Sequence, residues 1–210
     1  EVLLSLGKKY KNSFSKKKIQ KLKKKKNFLL IGMGGSILGS KAIYKFLSPK
    51  NKKFTFIDNL SNISLKDQNE NKVNLIISKS GNTLETISNS NIMINKNDIN
   101  IFVCENKKSY LTELAKKLKF EVIHHNNFIG GRYSVLSEVG MLPAQLMGFK
   151  PENFRRFNRL VDNKYFINSL IQNVSNIFYL IKHKKNNSII LNYDDNSNDF
   201  FYWYQQLVAE

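Results

Sequence analysis

The chain has 210 residues, with 34 lysines and arginines against 16 aspartates and glutamates, and a formal net charge of +18 at pH 7. This length is sufficient for one large domain or two small ones, each with a hydrophobic core. The single cysteine, Cys104, excludes a disulfide framework and favours a reducing compartment, where we expect it to be a small buried hydrophobe.

The positive charge raises the question of nucleic acid as a partner. The lysines are spread along the whole chain, however, and no aromatic-and-basic reader motif accompanies them. We therefore expect no nucleic-acid partner and interpret the charge as a solvated surface that would attract small anions. We expect neither a signal peptide nor a membrane span, because the most apolar predicted helix, FINSLIQNVSNIFYLIKH, is interrupted by asparagine, glutamine and serine. The sequence predicts a cytoplasmic protein.

A lysine-rich segment opens the chain. As a helix it would place Phe14, Ile19 and Leu22 on one side, with lysines elsewhere. We interpret residues 1–27 as a basic arm whose charges face solvent, although an anion-binding tail is the alternative. Because the chain starts at glutamate and stops inside a predicted helix, we expect it to be a fragment.

Short apolar runs then alternate with segments of helical spacing. The predicted strands are residues 28–32, 54–58, 73–78, 99–105 and 120–123. Fully apolar strands that alternate with helices are typical of a parallel sheet covered on both faces. The sequence therefore predicts an α/β fold with a doubly wound parallel sheet, spanning residues 28–149.

Beyond residue 149 the sequence again predicts helices and a strand, as in the first domain. Helical spacing continues to about Lys184, followed by a predicted strand, SIILNYD (188–194), and a final helix. We interpret residues 150–210 as the start of a second, similar α/β domain.

The glycine loop, GMGGSILGS (residues 32–40), follows the first predicted strand. Its glycines let the backbone approach an anion closely, and Ser36 is predicted to open a helix. Taken alone this is a weak signal, since glycine-rich turns between strand and helix are common.

The serine loop, SKSGNTLET, begins at Ser78 directly after the third predicted strand. Ser78, Ser80 and Thr83 offer three hydroxyls, and the N-terminus of the next helix adds N–H donors and a favourable dipole. The alternative is an ordinary helix cap, with Thr83 and either Glu85 or Thr86 closing the first turn. Two loops of this kind in one sheet favour phosphate binding.

Two further motifs carry groups suited to catalysis. In the arginine motif, GGRYS (residues 130–134), Arg132 follows paired glycines and is suited to stabilising negative charge on a substrate oxygen, unless it pairs with a local carboxylate. In YQQLVAE, Gln206 and Glu210 share one face of an apolar, aromatic helix. A carboxylate held against apolar surface can act as a base with a raised pKa, but the face could equally be an exposed one.

These four motifs, in this order, resemble the phosphoglucose isomerase family, which is built from two sugar-isomerase domains. GMGGSILGS resembles its first glycine-rich motif, SKSGNTLET its phosphate loop, FIGGRYSVLSEVG its arginine signature and YQQLVAE its glutamate helix. The resemblance runs from about Phe28 to Glu210.

The resemblance implies roles for individual residues. The implied substrate- and phosphate-binding residues are Gly35, Ser36, Ser78, Lys79, Ser80, Thr83, Gly131 and Gln206. Within this set the three hydroxyls of the serine loop would hold the 6-phosphate, and Gln206 would position the sugar. Arg132 would stabilise an enediolate, and Glu210 would be the base that moves a proton between carbons 2 and 1.

The implied activity is the interconversion of glucose 6-phosphate and fructose 6-phosphate through a cis-enediol, with no metal or organic cofactor, by a protein that is a homodimer when complete. Two alternatives stay open: another phosphosugar isomerase of the same superfamily, and a sugar-phosphate-binding domain without catalysis. The sequence departs from the family at Ile37 and Glu138, and the ring-opening histidine and late lysine of the family would follow Glu210. We do not assign that histidine's role to His124, His125 or His183.

Overall fold

The computed structural model describes residues 2–60, 72–156 and 158–209. Within these residues one all-parallel sheet contains five strands in the order β2-β1-β3-β4-β5. The strands are Asn27–Ile31 (β1), Lys53–Ile57 (β2), Val73–Ile77 (β3), Ile99–Glu105 (β4) and Glu121–His125 (β5). The predicted doubly wound parallel sheet is confirmed, and each predicted strand is found with its ends shifted by no more than two residues.

Helices cover both faces of this sheet. The α-helices are Val2–Ser5 (α1), Lys16–Leu22 (α2), Leu38–Leu47 (α3), Leu84–Met93 (α4), Tyr110–Lys117 (α5), Glu138–Met147 (α6), Pro151–Phe154 (α7), Asn158–Val161 (α8), Lys164–Lys182 (α9) and Asn198–Ala209 (α10), with 3₁₀ turns at Gly34–Ser36, Gly131–Leu136 and Asp195–Ser197. None of the described helices combines the length and the apolar composition needed to span a bilayer.

The two-residue period of the strands divides the core in two. In β1, Leu30 packs in a cluster with residues of α2, α3 and α6, whereas Leu29 and Ile31 pack in a second cluster with residues of α4 and α5. Because successive side chains of a strand alternate between faces, a strand buried on both faces is apolar at most positions. β3 is buried along its entire length, and its one polar residue, Asn74, donates a hydrogen bond to Asn100 Oδ1 at 2.8 Å.

The lysine-rich segment has the predicted apolar face. Phe14, Ile19 and Leu22 are all buried in the first core cluster. The lysines of α2 are exposed, and one of them, Lys18, lies 2.6 Å from Glu121 of β5. The segment is thus attached to the sheet through its apolar side chains.

The prediction of a strand at SIILNYD is wrong. Residues 188–194 are exposed and adopt no strand conformation in the structure. A strand is stabilised by backbone hydrogen bonds to a neighbour, and in the described part of the chain no strand lies alongside this segment. Its apolar residues therefore stay in solvent, as do those of α9, in which no residue is buried.

Glu138 fixes the N-terminal arm to α6. Its carboxylate is 2% exposed, accepts hydrogen bonds from Tyr10 Oη at 3.1 and 3.2 Å, and accepts another from the backbone N–H of Ser13 at 3.1 Å. It also lies in the first turn of α6, where the helix dipole favours an anion. The departure from the family pattern at this position thus has a structural explanation.

His125, at the end of β5, is buried as a neutral imidazole. It is 2% exposed, and its Nδ1 lies 4.0 Å from the Glu138 carboxylate, which is too long for a hydrogen bond. Neither ring nitrogen has a hydrogen-bond partner among the described residues. Burial, aided by the charge of Lys79, lowers the pKa of His125 to about 4.

We expect this histidine to make the stability depend on pH. An unfolded chain binds a proton at histidine near pH 6.5, whereas folded His125 binds it only near pH 4, so the free energy of unfolding should fall as pH decreases between these values. His125→Met should reduce the slope by up to about 1.4 kcal/mol per pH unit in urea titrations. His183→Met, which removes an exposed histidine, is the matched control. An unchanged slope in His125→Met would contradict the assignment.

Candidate functional site

The strand order reverses between β1 and β3, and both loops of interest follow the carboxyl ends of these two strands. The chain leaves β1 toward β2 on one side and returns to β3 on the other, and ligands of doubly wound sheets bind where the order reverses in this way. The glycine loop follows β1 and the serine loop follows β3. A Cβ at Gly32 would lie 3.0 Å from the carbonyl oxygen of Ile77, so the two loops start in contact.

The three hydroxyls of the serine loop form one cluster. Thr83 Oγ1 lies 3.0 Å from Ser78 Oγ and 3.4 Å from Ser80 Oγ, and the N–H of Gly81 donates to Ser78 Oγ at 3.1 Å. Thr83 occupies the N-cap position of α4, but its side chain accepts no hydrogen bond from the first turn of that helix, all of which is described. The helix-cap alternative is therefore not formed by Thr83, and the hydroxyls lie beside the positive end of α4.

The serine loop is fixed to the start of α5. A Cβ at Gly81, whose φ is +67°, would lie 2.1 Å from the hydroxyl oxygen of Ser109, the N-cap residue of α5. The N–H groups of Leu111 and Tyr110 donate to the Gly81 carbonyl at 3.0 Å and to Asn82 Oδ1 at 2.8 Å. Only glycine fits this approach, and the contacts hold the loop in place before any ligand arrives.

Lys79 is held by a carboxylate that the sequence analysis did not single out. Its Nζ lies 3.2 Å from Oε1 of Glu105, and Lys107 Nζ lies 2.5 Å from Oε2. Glu105 is 6% exposed, and its backbone N–H donates to the Lys79 carbonyl at 3.1 Å. Burial alone would raise the pKa of Glu105, but hydrogen bonds from Lys107 and Lys79 outweigh it and lower that pKa. The sequence signal for Glu105 was an acidic residue at the end of a mostly apolar strand, β4.

Glu105→Gln is expected to lower the free energy of unfolding at pH 7 by about 1–3 kcal/mol, since it weakens two hydrogen bonds to a buried charge. A carboxylate whose pKa is lowered by folding stabilises the protein above its unfolded pKa, near 4.3, and loses that contribution as pH falls through the folded value. The variant should therefore lose less stability in acid than the parent does. Glu113→Gln, which removes an exposed carboxylate 3.5 Å from Lys116, should change stability little. Equal effects of the two substitutions would contradict this role.

The glycine loop and the arginine motif are in direct backbone contact. A Cβ at Gly35 would lie 2.3 Å from the carbonyl atoms of Gly131 and 2.6 Å from the N of Arg132. Ser134 Oγ lies within donating distance of both glycine carbonyls, 3.2 Å from that of Gly35 and 2.6 Å from that of Gly131. The Arg132 guanidinium lies 5.8 Å from the ring centre of Tyr133. The structure thus brings together two motifs that are far apart in the sequence.

Helix α10 brings the fourth motif to the same place. A Cβ at Gly34, whose φ is +53°, would lie 2.7 Å from Nε2 of Gln206. Trp203 Nε1 donates to the carbonyl of Arg132 at 3.4 Å, and α10 packs along α3. Ser36 is the last residue of the 3₁₀ turn between β1 and α3, and it follows Gly34 and Gly35 directly in the chain. The predicted base, Glu210, lies outside the described residues.

Other reactive groups contribute little to this site. Burial raises the pKa of the Cys104 thiol to about 12, and the residue packs in the second core cluster as the predicted small hydrophobe. Across residues 2–60, 72–156 and 158–209, no three histidine, cysteine or acidic side chains lie together in a way that could hold a metal ion. The chemistry available in the described part of the site is therefore a hydroxyl cluster, a helix N-terminus, an arginine and an amide.

Comparison with known proteins identifies relatives over nearly the whole chain. A model of the family described as phosphoglucose isomerase matches residues 8–210. The glucose-6-phosphate isomerase of Methanocaldococcus jannaschii is 34% identical over 202 residues, which cover 88% of this chain and 50% of that protein. The glucose-6-phosphate isomerase of Campylobacter jejuni is 30% identical over the same length and with the same coverage. The chain thus spans about half the length of these curated relatives.

The fold also has a relative among solved structures. A hypothetical protein of Thermus thermophilus superposes with a TM-score of 0.74 at 21% identity, over 92% of this chain and 52% of that one. At this identity the likeness concerns the fold.

Proposed function

We propose, since this chain belongs to the phosphoglucose isomerase family, that the protein is an aldose–ketose isomerase that interconverts glucose 6-phosphate and fructose 6-phosphate. The observation that carries the proposal is the meeting of three motifs at one edge of the sheet, where Gly35, Arg132 and Gln206 lie together. The serine loop opens onto the same edge.

The serine loop is the proposed phosphate site. A phosphate monoester is small, doubly charged and rich in acceptors, so a cluster of short donors at a helix N-terminus suits it. Ser78, Ser80 and Thr83 would donate their hydroxyls, with the first N–H groups of α4 behind them. Lys79 would add positive potential from its position beside Glu105, while Gly35 and Ser36 of the glycine loop would line the other side.

Proton transfer by a carboxylate is the proposed chemistry. Glu210 would take a proton from carbon 2 of the open-chain aldose and return it to carbon 1, through a cis-enediol intermediate. In the same conversion the oxygen on carbon 1 gains a proton and the oxygen on carbon 2 loses one, so that the aldehyde becomes a hydroxyl and the hydroxyl a ketone. Arg132 would stabilise the negative charge that develops on the substrate oxygen, and Gln206 would orient the sugar. Gly131 would leave room for the reactive end, because no described atom other than those of its neighbours in the chain lies within 4 Å of a Cβ built on it. These steps require neither a metal nor an organic cofactor.

The activity is tested by assaying the full-length protein with glucose 6-phosphate, mannose 6-phosphate and glucosamine 6-phosphate. We expect kcat/KM to be highest for glucose 6-phosphate. Faster turnover of another phosphosugar would transfer the proposal to that substrate. Binding of all three without isomerisation of any would replace it with a sugar-phosphate-binding role.

Ser80→Ala is expected to raise KM for glucose 6-phosphate by about tenfold with a smaller change in kcat, because it removes one hydrogen bond to a charged group far from the reacting carbons. Steady-state kinetics of the full-length protein provide the measurement. Ser15→Ala, at an exposed serine that makes no capping hydrogen bond to α2, is the matched control. An unchanged KM in Ser80→Ala would exclude this hydroxyl from the phosphate site.

We also propose that residues 150–210 begin a second α/β domain of a cytoplasmic homodimer. The support is α9, whose apolar side chains, such as Leu170, Val174 and Ile177, are exposed although helices of this kind normally pack against other elements. Size-exclusion chromatography with light scattering on the full-length protein tests the dimer.

A further inference from the structure

A cavity of about 750 Å³ lies beside α1, α7 and α8, and none of the residues of the serine loop or the arginine motif lines it. Its described lining includes five cations and a single carboxylate: Lys8, Lys9, Arg155, Arg156, Arg159 and Asp162. Such a concave surface of one sign concentrates anions more effectively than scattered surface lysines do. This cavity is therefore the strongest candidate for a second anion site.

The use of arginine at this cavity stands out against the composition of the chain. The sequence has 30 lysines and only four arginines, one of which is Arg132 of the arginine motif. The other three arginines all line this cavity. A chain that otherwise uses lysine for its positive charges would be expected to use lysine here too. Arginine differs in offering a planar fork of donors that matches two oxygens of a phosphate at once.

Arg155 is almost completely buried, and its guanidinium is hydrogen-bonded to other parts of the chain. It is 4% exposed, and its guanidinium donates to Asn12 Oδ1 at 2.8 Å, to the Leu136 carbonyl at 2.7 Å and to the Tyr10 carbonyl at 3.2 Å. It also lies over the ring of Tyr10, 4.9 Å from its centre. Its Nε has no hydrogen-bond partner among the described residues.

The contacts of Arg155 fix the position of its positive charge in the cavity wall. All the acceptors named above are neutral oxygens. The carboxylates of Glu138 and Glu152 also interact with the guanidinium electrostatically, without a hydrogen bond to it among the contacts named above. Arg156 and Arg159, by contrast, are exposed, and Arg156 donates to the exposed Asn153 Oδ1 at 2.9 Å.

The size of the site limits the ligand. A second cavity of about 340 Å³ shares Lys8 and Arg155 with the first and adds Lys11 and Lys16 to the positive wall, with Glu152 as its carboxylate. Small-molecule sites commonly span about 300–1,000 Å³, which is far more than one phosphate fills. The exposed side chains of Leu3 and Leu4 form an apolar part of the lining of the larger cavity. A ligand with several adjacent phosphates and an organic part would use all of these features.

We propose that this cavity binds a small organic polyphosphate through Arg155, Arg156 and Arg159, with Lys8 and Lys9 completing the positive wall. The site is separate from the proposed substrate site. A nucleic acid fits less well, because the cations surround a recess and do not form a stripe along an extended surface.

The test is a calorimetric titration of the full-length protein with sodium tripolyphosphate and, separately, orthophosphate, both at constant ionic strength. The double variant Arg156→Gln with Arg159→Gln should weaken tripolyphosphate binding by about tenfold or more, since both residues are exposed and their removal does not disturb the core. The control, Lys116→Gln with Lys117→Gln, removes the same charge from the exposed face of α5 and should change the affinity by less than about twofold. Arg156→Lys with Arg159→Lys should give an intermediate affinity, because charge is kept and the planar fork is lost.

Several outcomes would overturn the proposal. Equal weakening in the arginine and lysine double variants would mean that only the net charge matters. Orthophosphate binding as tight as that of tripolyphosphate, or stronger arginine-dependent binding of a single-stranded oligonucleotide at equal phosphate concentration, would contradict the ligand class. If glucose 6-phosphate displaced tripolyphosphate and Ser80→Ala abolished its binding, the anion would lie in the serine loop. That result would remove the second site while leaving the proposed isomerase function intact.

Discussion

In the full-length protein, Glu210→Gln is expected to lower kcat by about 10²–10⁴-fold while KM for glucose 6-phosphate changes little. The substitution keeps the size of the side chain and removes its ability to accept a proton, so in the proposed mechanism it acts on the chemical step and not on phosphate binding. The measurement is steady-state kinetics combined with the exchange of deuterium from carbon 2 of labelled substrate into water. Both turnover and exchange should be lost together.

Glu210→Asp is the informative companion. It retains a carboxylate but withdraws it by one methylene, so turnover should be reduced yet remain above that of Glu210→Gln, since positioning is lost and basicity is not. Near-normal turnover in Glu210→Gln would show that another group is the base. Loss of turnover with normal deuterium exchange would place Glu210 in a later step than proton abstraction.

Gly35→Ala is expected to lower the free energy of unfolding by about 1–3 kcal/mol and kcat/KM by about 10²-fold. The new Cβ would lie 2.3 Å from backbone atoms of Gly131 and 2.6 Å from the N of Arg132. These are main-chain atoms, so no side-chain rotation can relieve the overlap, and the glycine loop must move away from the arginine motif. The backbone of Arg132 would then lie farther from the glycine loop, and its side chain would lose its position in the proposed site. Urea unfolding and steady-state kinetics measure the two effects.

Gly131→Ala provides a control in the same contact. A Cβ at Gly131 meets no described atom within 4 Å apart from those of its neighbours in the chain, and the φ of Gly131 does not lie in the left-handed region. The free energy of unfolding should therefore stay within about 0.5 kcal/mol of the parent. A stability loss in Gly131→Ala as large as that in Gly35→Ala would contradict the asymmetry of the contact.

The sheet was predictable because burial on both faces leaves a distinct sequence signal. The strands around Leu30 and Leu75 are each apolar at every position but one, and the loops that follow them carry the glycines and hydroxyls of the proposed site. Parallel strands end at the same edge, so the predicted sheet already placed the glycine and serine loops at one edge, but their contact requires β1 and β3 to be neighbours. The strand order itself came only from the structure.

Other features depended on tertiary contacts that no local pattern reveals. Paired glycines indicate a close approach of the backbone, but not that Gly35 would be the residue in contact and Gly131 the open one. Glu105 and Glu138 gain their roles from lysine, tyrosine and serine groups elsewhere in the chain. The apolar run at 188–194 has a composition that suits a strand, yet pairing requires a neighbour that is not alongside it in the described structure.

The order of the strands makes ligand binding at the proposed site depend on the folded state, and so links binding to the stability of the protein. The glycine loop, the serine loop and the arginine motif of the proposed site follow β1, β3 and β5, and the fourth motif lies on α10. These four segments meet only when the whole sheet and α10 have assembled. A ligand that binds this arrangement and not the unfolded chain raises the free energy of unfolding, by about 2.7 kcal/mol at a hundred times its Kd. Proteases cleave mainly the opened form, and its population falls by the corresponding factor of about a hundred. For the proposed isomerase, a larger supply of phosphosugar is thus expected to lengthen the lifetime of the protein in the cell.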